Sequence, residues 1–368
     1  MHNLHLMSMP SGFNTSLMDV INEHFPHEDN YFVWKNEKNF PHRFDNAVID
    51  PKWFNPEYIN AHHEGWDQIF LHELFLNDQQ ILLLNDDTAK KITWVVWGHD
   101  LYRPVKRPQN SVRSVLKYLY KRTKYYAGYL TGLRRRVARK VGQFRRIAIG
   151  FPYDEAFIRK KYGNKVCVAY GPYFSRQTAR PSADRLRRLH QEQSHDVVNI
   201  LVGHCGARFI QHEKYLRKLS AYKNENIHIY LVLSYLASEK RIAEISRIAG
   251  QLFTRDRYTI LTDLMPRDDY YDFLTTIDIA IFPFRHQSAL GNTKRLAYMG
   301  AKLYFDPKGV LAKGFLQGGV KTYNCHKIGR ISFEEFCKKA DLPETDRPLF
   351  DAFDYGHNVQ AWKTLLSE

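Results

Sequence analysis

Two segments in the second half of the chain carry residue types that can hold a diphosphate. The first, Gly203-His204-Cys205-Gly206-Ala207-Arg208, follows an apolar run at 197–202. Its glycines would let backbone N–H groups approach phosphate oxygens closely, and Arg208 would add a charged, bidentate contact. A plain strand-to-helix turn would use the same two glycines. The second segment, from Pro283 to Lys294, follows an apolar run at 277–282 and opens a helix with Gln287, Ser288, Gly291, Asn292, Thr293 and Lys294. Backbone N–H groups, hydroxyls and a cation together are what a metal-free site needs to stabilise a departing diphosphate. The expected diphosphate set is therefore Gly203, His204, Gly206, Arg208, Gln287, Ser288, Gly291, Asn292, Thr293 and Lys294.

The first half contributes titratable groups. The run 68–72 ends in His72-Glu73, and the run 92–97 opens into Gly98-His99-Asp100. Strand ends are where a general base for an attacking hydroxyl would be placed. Asp100 is the first choice for that role, His72 the second, and His99 the third. Each of these could equally be a hydrogen-bonded structural residue. Asp86-Asp87 and Asp268-Asp269 read as solvated charges beside helices, with no D-x-D element at a strand end, so no metal or cofactor is expected.

The elements that must position these groups follow from periodicity. Short apolar runs at 3–7, 31–34, 68–72, 92–97 and 146–149 alternate with helix-like stretches at 17–25, 78–84, 111–126, 133–141 and 154–162. A polar link at 175–195 leads to strands at 197–202, 227–233, 258–261, 277–282 and 302–305, with helices at 213–221, 239–249, 267–275 and 288–299. Such alternation predicts α/β architecture with parallel sheets. At 368 residues the chain suggests two domains. The expected boundaries are 1–175 and 176–348, with a terminal helix at 349–368 that returns to the first domain. Two doubly wound, Rossmann-like domains facing each other across a cleft would suit a nucleotide ligand. The four cysteines are scattered, so no disulfide framework or zinc site is indicated.

Charge is concentrated. The chain carries a formal +15, and residues 101–150 hold 15 lysines and arginines with no acid. On 111–126, Arg113, Lys117 and Lys121 share a face opposite Val112, Leu116 and Leu119, and Arg134-Arg135-Arg136 follows. An amphipathic basic helix of this kind can hold an anionic membrane surface. No window approaches the apolar length needed to span a bilayer, and Met1–Pro10 lacks a signal-peptide core. A solvated basic face is the bland alternative. Nucleic-acid binding is the rival from another class, though no nucleic-acid module accompanies the patch. A non-catalytic nucleotide-binding role is the third reading.

At these motifs the chain resembles the TDP-N-acetylfucosamine:lipid II N-acetylfucosaminyltransferases of glycosyltransferase family 56. The resemblance rests on Trp94-Val95-Val96-Trp97-Gly98-His99-Asp100-Leu101-Tyr102, on Leu201-Val202-Gly203 with Gly206, Arg208 and His212, and on the stretch 269–300. It implies a GT-B fold and inverting transfer of an amino-fucose from a nucleotide-sugar donor to a lipid-linked or other glycan acceptor. It also implies surface-polysaccharide assembly in the style of enterobacterial common antigen, at the cytoplasmic side of a bacterial inner membrane. The sequence departs from the family at His204-Cys205 and at Asn292-Thr293-Lys294, within the expected donor set.

Overall fold

The computed structural model describes residues 1–8, 11–26, 29–37, 40–102, 131–176, 179–193 and 196–368, with Leu116, Leu119, Tyr120, Thr123 and Ala127 in the intervening stretch. The chain divides into two units, residues 1–178 with 354–368, and residues 179–353.

The first unit contains seven strands: β1 (His2–Met7), β2 (Asp29–Trp34), β3 (Ala47–Ile49), β4 (Gln68–His72), β5 (Ile92–Val95), β6 (Arg146–Ile149) and β7 (Val168–Tyr170). They form one parallel sheet in the order β3-β2-β1-β4-β5-β6-β7. Every residue of β4, β5 and β6 is buried. Parallel strands covered on both faces read as near-continuous apolar runs for this reason. Successive residues feed opposite layers, so Ile69 and Leu71 pack in one core cluster and Phe70 in the other. Asparagine side chains start several of the covering helices: Asn55, Asn77 and Asn85 each accept a hydrogen bond from a first-turn N–H.

The second unit repeats the scheme with β8 (Val198–Val202), β9 (Ile227–Val232), β10 (Tyr258–Leu261), β11 (Ile279–Phe282), β12 (Lys302–Phe305) and β13 (Tyr323–Asn324). The order is β10-β9-β8-β11-β12-β13, again all parallel. In each sheet the strand order reverses once, between β1 and β4 and between β8 and β11. Loops leave that point in opposite directions, which opens the crevice where ligands of doubly wound sheets sit.

Several elements differ from expectation. The edge strands β3, β7 and β13 were not anticipated, since two or three residues are too few to show a period. The stretch read as a polar link holds a helix, Arg180–Glu192, which buries Ala183 and Leu186 against the helix Leu290–Met299. Its apolar stripe is narrow, and arginines supply the remaining contacts. Arg187 donates to the carbonyls of Tyr298 and Pro343 at 2.8 and 3.1 Å. The helix capped by Ser238 runs through Gly250 to Leu252. The terminal segment is a short turn, Pro348–Phe353, followed by the helix Tyr355–Ser367, whose Trp362 donates to the Pro172 carbonyl at 2.8 Å. Among the described residues no helix is long and apolar enough to cross a membrane.

Candidate functional site

In the second unit, the loops after β8 and β11 meet at the point of strand reversal. Ser288 Oγ lies 2.9 Å from His204 Nε2, joining the two segments that the sequence singled out. The His204 imidazole is buried among Phe209, Tyr235, Phe282 and Phe284. Burial, with His286 and His212 nearby, lowers its pKa to about 3, so the ring is neutral. Past Ser288 the chain takes a left-handed step at Ala289, with φ of 56°, and starts the helix Leu290–Met299 with no side-chain cap. Open space lies over Gly291. A helix start leaves its first N–H groups without intrahelical partners and carries partial positive charge, which favours an anion. Arg208 is exposed, 3.9 Å from Glu244.

Other expected donor residues have different work. Gly203 and Gly206 do not offer N–H groups to a ligand: these groups bond to the carbonyls of Ile281 and Tyr235 at 3.0 and 2.8 Å. Both glycines permit close packing of the loop itself. A Cβ at Gly203 would lie 2.3 Å from Ile210 Cγ2, and one at Gly206 would lie 2.3 Å from Ala237 Cβ. Gly203 also has φ of 73°. Gly203→Ala should therefore lower stability by about 2–4 kcal/mol, combining left-handed strain with overpacking. An unchanged urea midpoint would contradict that packing. The Thr293 hydroxyl turns back to the Ala289 carbonyl at 3.0 Å, Lys294 and Gln287 are buried, and Asn292 donates to the Tyr270 hydroxyl at 3.1 Å. Thr293 and Lys294 thus stand as packed parts of the helix rather than solvent-facing ligands. The sequence reading passed over Asp306, which follows β12 and binds the Lys308 N–H at 2.9 Å and Arg285 Nε at 3.0 Å. The rule that found His72 and His99, a polar group at the end of an apolar run, would also have found Asp306.

In the first unit two of the three expected bases, Asp100 and His72, turn out to be committed. Asp100 is buried, and its two carboxylate oxygens accept four hydrogen bonds. Oδ2 takes the Leu74 N–H at 2.9 Å and the Trp94 indole at 2.7 Å; Oδ1 takes Trp97 N–H at 3.0 Å and Leu101 N–H at 2.9 Å. Its geometry is that of an anchor tying the ends of β4 and β5 together. His72 lies in a buried chain whose hydrogens can be assigned. His5 Nε2 faces the Asn30 side-chain oxygen at 3.2 Å and must donate; His5 Nδ1 then accepts from His72 Nε2 at 3.0 Å. Tyr173 Oη, 2.6 Å from His72 Nδ1, donates to it and receives the Trp97 indole N–H at 2.6 Å. This assignment requires both imidazoles to be neutral, and burial depresses both pKa values, that of His5 to about 3. His72 therefore has no nitrogen left for an acceptor hydroxyl.

Glu73 and His99 are placed differently. Glu73 follows β4 at the point of strand reversal and holds φ of 85°, a left-handed conformation that costs a glutamate of order 1–3 kcal/mol and tends to occur at working sites. Its carboxylate accepts from Ser8 Oγ at 2.8 Å and sits 2.8 Å from His99 Nε2. The Glu73 side chain is 14% exposed and that of His99 45%. Nothing in the sequence announces the positive φ, which is why Glu73 was noted at a strand end but not chosen.

Of the basic set, Arg113, Lys117 and Lys121 lie outside the described residues. Arg134 is paired with Asp78 at 2.9 Å, both half-buried, and so is a structural cation rather than a free one. Arg135 and Arg136 are exposed on the helix Leu133–Val141, whose Val137 and Val141 face the core.

Comparison with known proteins gives these geometries a context. The family described as 4-alpha-L-fucosyltransferase glycosyl transferase group 56 matches residues 5–366. Anabaena Alr3699/HepE, solved in complex with UDP and glucose, is similar over the whole of both chains at 12% identity and a TM-score of 0.57. Sucrose-phosphate synthase from Thermosynechococcus elongatus is similar over 99% of this chain and 98% of its own, at 11% identity and a TM-score of 0.60. WaaG, a glycosyltransferase involved in lipopolysaccharide biosynthesis, covers 98% of this chain and 95% of its own at 11% identity and a TM-score of 0.53. These structures share the fold, and that fold is GT-B.

Proposed function

The chain belongs to the group 56 glycosyltransferases, and from that premise we propose that it moves an amino-deoxyhexose such as N-acetylfucosamine from a TDP-linked donor to a polyprenyl-diphosphate-linked glycan. That it is a sugar-nucleotide glycosyltransferase follows from the family; the donor sugar, its nucleotide and the acceptor are our reading. The observation that carries the reading is the Ser288–His204 bridge beside an uncapped helix start, at the strand-reversal point of the second sheet. The donor diphosphate sits against the N–H groups of Leu290–Asn292, with Ser288 donating to a phosphate oxygen and Arg208 offsetting the charge that grows on the leaving group. Such hydrogen-bond donors replace a divalent cation, so transfer proceeds without metal; inversion at the anomeric carbon is what the family resemblance implies. The enzyme works at the cytoplasmic face of the bacterial inner membrane, where Arg135 and Arg136 meet anionic headgroups at about 1 kcal/mol per cation.

A thermal-shift panel of nucleoside diphosphates and their sugars tests this reading. The matching donor, at 100 times its Kd, should stabilise the protein by about 2.7 kcal/mol. With that donor in EDTA, glycosyl transfer to a polyprenyl-diphosphate disaccharide in anionic vesicles should proceed at the untreated rate, with inverted anomeric configuration. Failure of every nucleotide sugar to shift the transition sinks the proposal; complete loss of turnover in EDTA sinks its metal-free part.

A further inference from the structure

We propose that His204 is a positioning residue for the donor: its Nε2–H donates to Ser288 Oγ and so turns the hydrogen of the Ser288 hydroxyl outward, to a diphosphate oxygen. The role rests on the glycosyl-transfer reading above and names the group that aims one of its phosphate donors. His204, Ser288 and the helix start beside them all lie within the second unit.

Three observations carry it. His204 Nε2 and Ser288 Oγ are 2.9 Å apart, so one hydrogen lies between them, and it belongs either to the imidazole or to the hydroxyl. The other ring nitrogen, Nδ1, is buried and has no hydrogen-bond partner among the described residues. Orphaned buried N–H groups are rare, whereas an acceptor short of a partner is tolerated more often. The ring is neutral and has a single N–H to place, so that hydrogen sits on Nε2 and Nδ1 stays bare. Finally, the imidazole cannot swing away. Phe209, Tyr235, Phe282 and Phe284 surround it with ring centroids 5.5 to 6.5 Å distant, and they hold Nε2 toward Ser288.

The consequence falls on Ser288. Its side chain is only half-buried, and the residue stands two positions before the helix Leu290–Met299. With a lone pair of Oγ occupied by His204, the hydroxyl keeps its one hydrogen for another acceptor. The opposite assignment would present lone pairs to an anion, which repels them. The left-handed step at Ala289, with φ of 56°, separates this hydroxyl from the uncapped N–H groups of the helix start. A non-glycine residue held in that conformation is characteristic of ligand clamps. His204 thus contributes nothing to the ligand directly and acts through the direction of one O–H.

The test uses the full-length protein, with TDP, UDP and GDP as probes in titration calorimetry, and histidine ¹H–¹⁵N correlation spectra of the wild type. The spectra should show His204 as the Nε2–H tautomer; a hydrogen on Nδ1 overturns the role without any variant having to fold. Ser288→Ala should weaken the nucleotide that wild type binds best by about 10–100-fold, as expected for a hydrogen bond to a charged group. His204→Phe keeps an aromatic ring in the cluster and removes the N–H, so it should weaken binding to the same degree. The double variant should then bind no worse than either single one. His204→Gln places an amide N–H where Nε2–H was, and should bring binding back to within threefold of wild type. A histidine that only packs the loop gives another pattern: His204→Gln as weak as His204→Phe, or losses that add in the double variant. Either result overturns the positioning role, as does wild-type affinity in His204→Phe or in Ser288→Ala. Failure of every probe to bind wild type overturns the glycosyl-transfer reading instead, so the two failures are distinct.

Discussion

Between pH 6.5 and 4.5 the second unit should lose about 4–5 kcal/mol of stability, a large share of what holds a typical domain folded, and the first unit should lose stability over the same interval. The cause is a pair of buried histidines in each: His5 and His72 in the first unit, His204 and His212 in the second. Burial is the leading cause of the lowered pKa in all four. His5 and His204 fall to about 3 and His212 to about 4, and His72 lies well below its usual value. In the unfolded chain the same rings titrate near 6.5. As pH falls below about 6.5, the unfolded state takes up protons that the folded state refuses, and each ring removes about 1.4 kcal/mol per pH unit until its folded pKa is reached. The stability is therefore fully present above pH 7 and is lost as pH falls from about 6.5, down to about 4 for His212 and to about 3 for His5 and His204. Urea denaturation by circular dichroism at pH 7.5, 6.5, 5.5 and 4.5 measures it directly. A flat profile from 6.5 to 5 would mean that these imidazoles are solvated in the native state.

Asp100→Ala should destabilise the first unit by about 4 kcal/mol or more. Four donors converge on this carboxylate, and the substitution leaves the Leu74, Trp97 and Leu101 N–H groups and the Trp94 indole without their acceptor. A buried donor stripped of its partner costs about 1–3 kcal/mol. Asp100→Asn should cost roughly half as much, because its amide NH₂ faces two donors whichever way it is turned, while the remaining oxygen keeps the other two. Equilibrium unfolding followed by tryptophan emission reads both variants, since Trp94 is among the released donors. If Asp100 were instead the base, Asp100→Asn would keep wild-type stability and lose turnover alone. A wild-type unfolding midpoint in Asp100→Asn would remove the anchor role.

The core strands were legible in the residues because a parallel strand covered on both faces is apolar along most of its length. The runs at 68–72 and 146–149 coincide with β4 and β6. The loops that matter were legible for a related reason: chemistry in doubly wound sheets collects where apolar runs stop, and His204, Ser288, Glu73 and His99 all stand there. The helix Arg180–Glu192 was hidden because its burial depends on two small apolar positions and on arginines that bond to carbonyls more than a hundred residues away.

Which strand-end groups are buried and committed was decided by tertiary structure alone. Asp100, His72 and His99 are equivalent in a sequence, being polar groups at the ends of apolar runs. Folding then gives Asp100 four donors, fills both nitrogens of His72 through His5 and Tyr173, and leaves His99 exposed beside a glutamate in a left-handed turn. Local composition determines where strands end, because burial is a property of runs. The protonation and accessibility of a side chain depend on partners brought from distant positions, such as Tyr173 against His72, and no spacing rule records them.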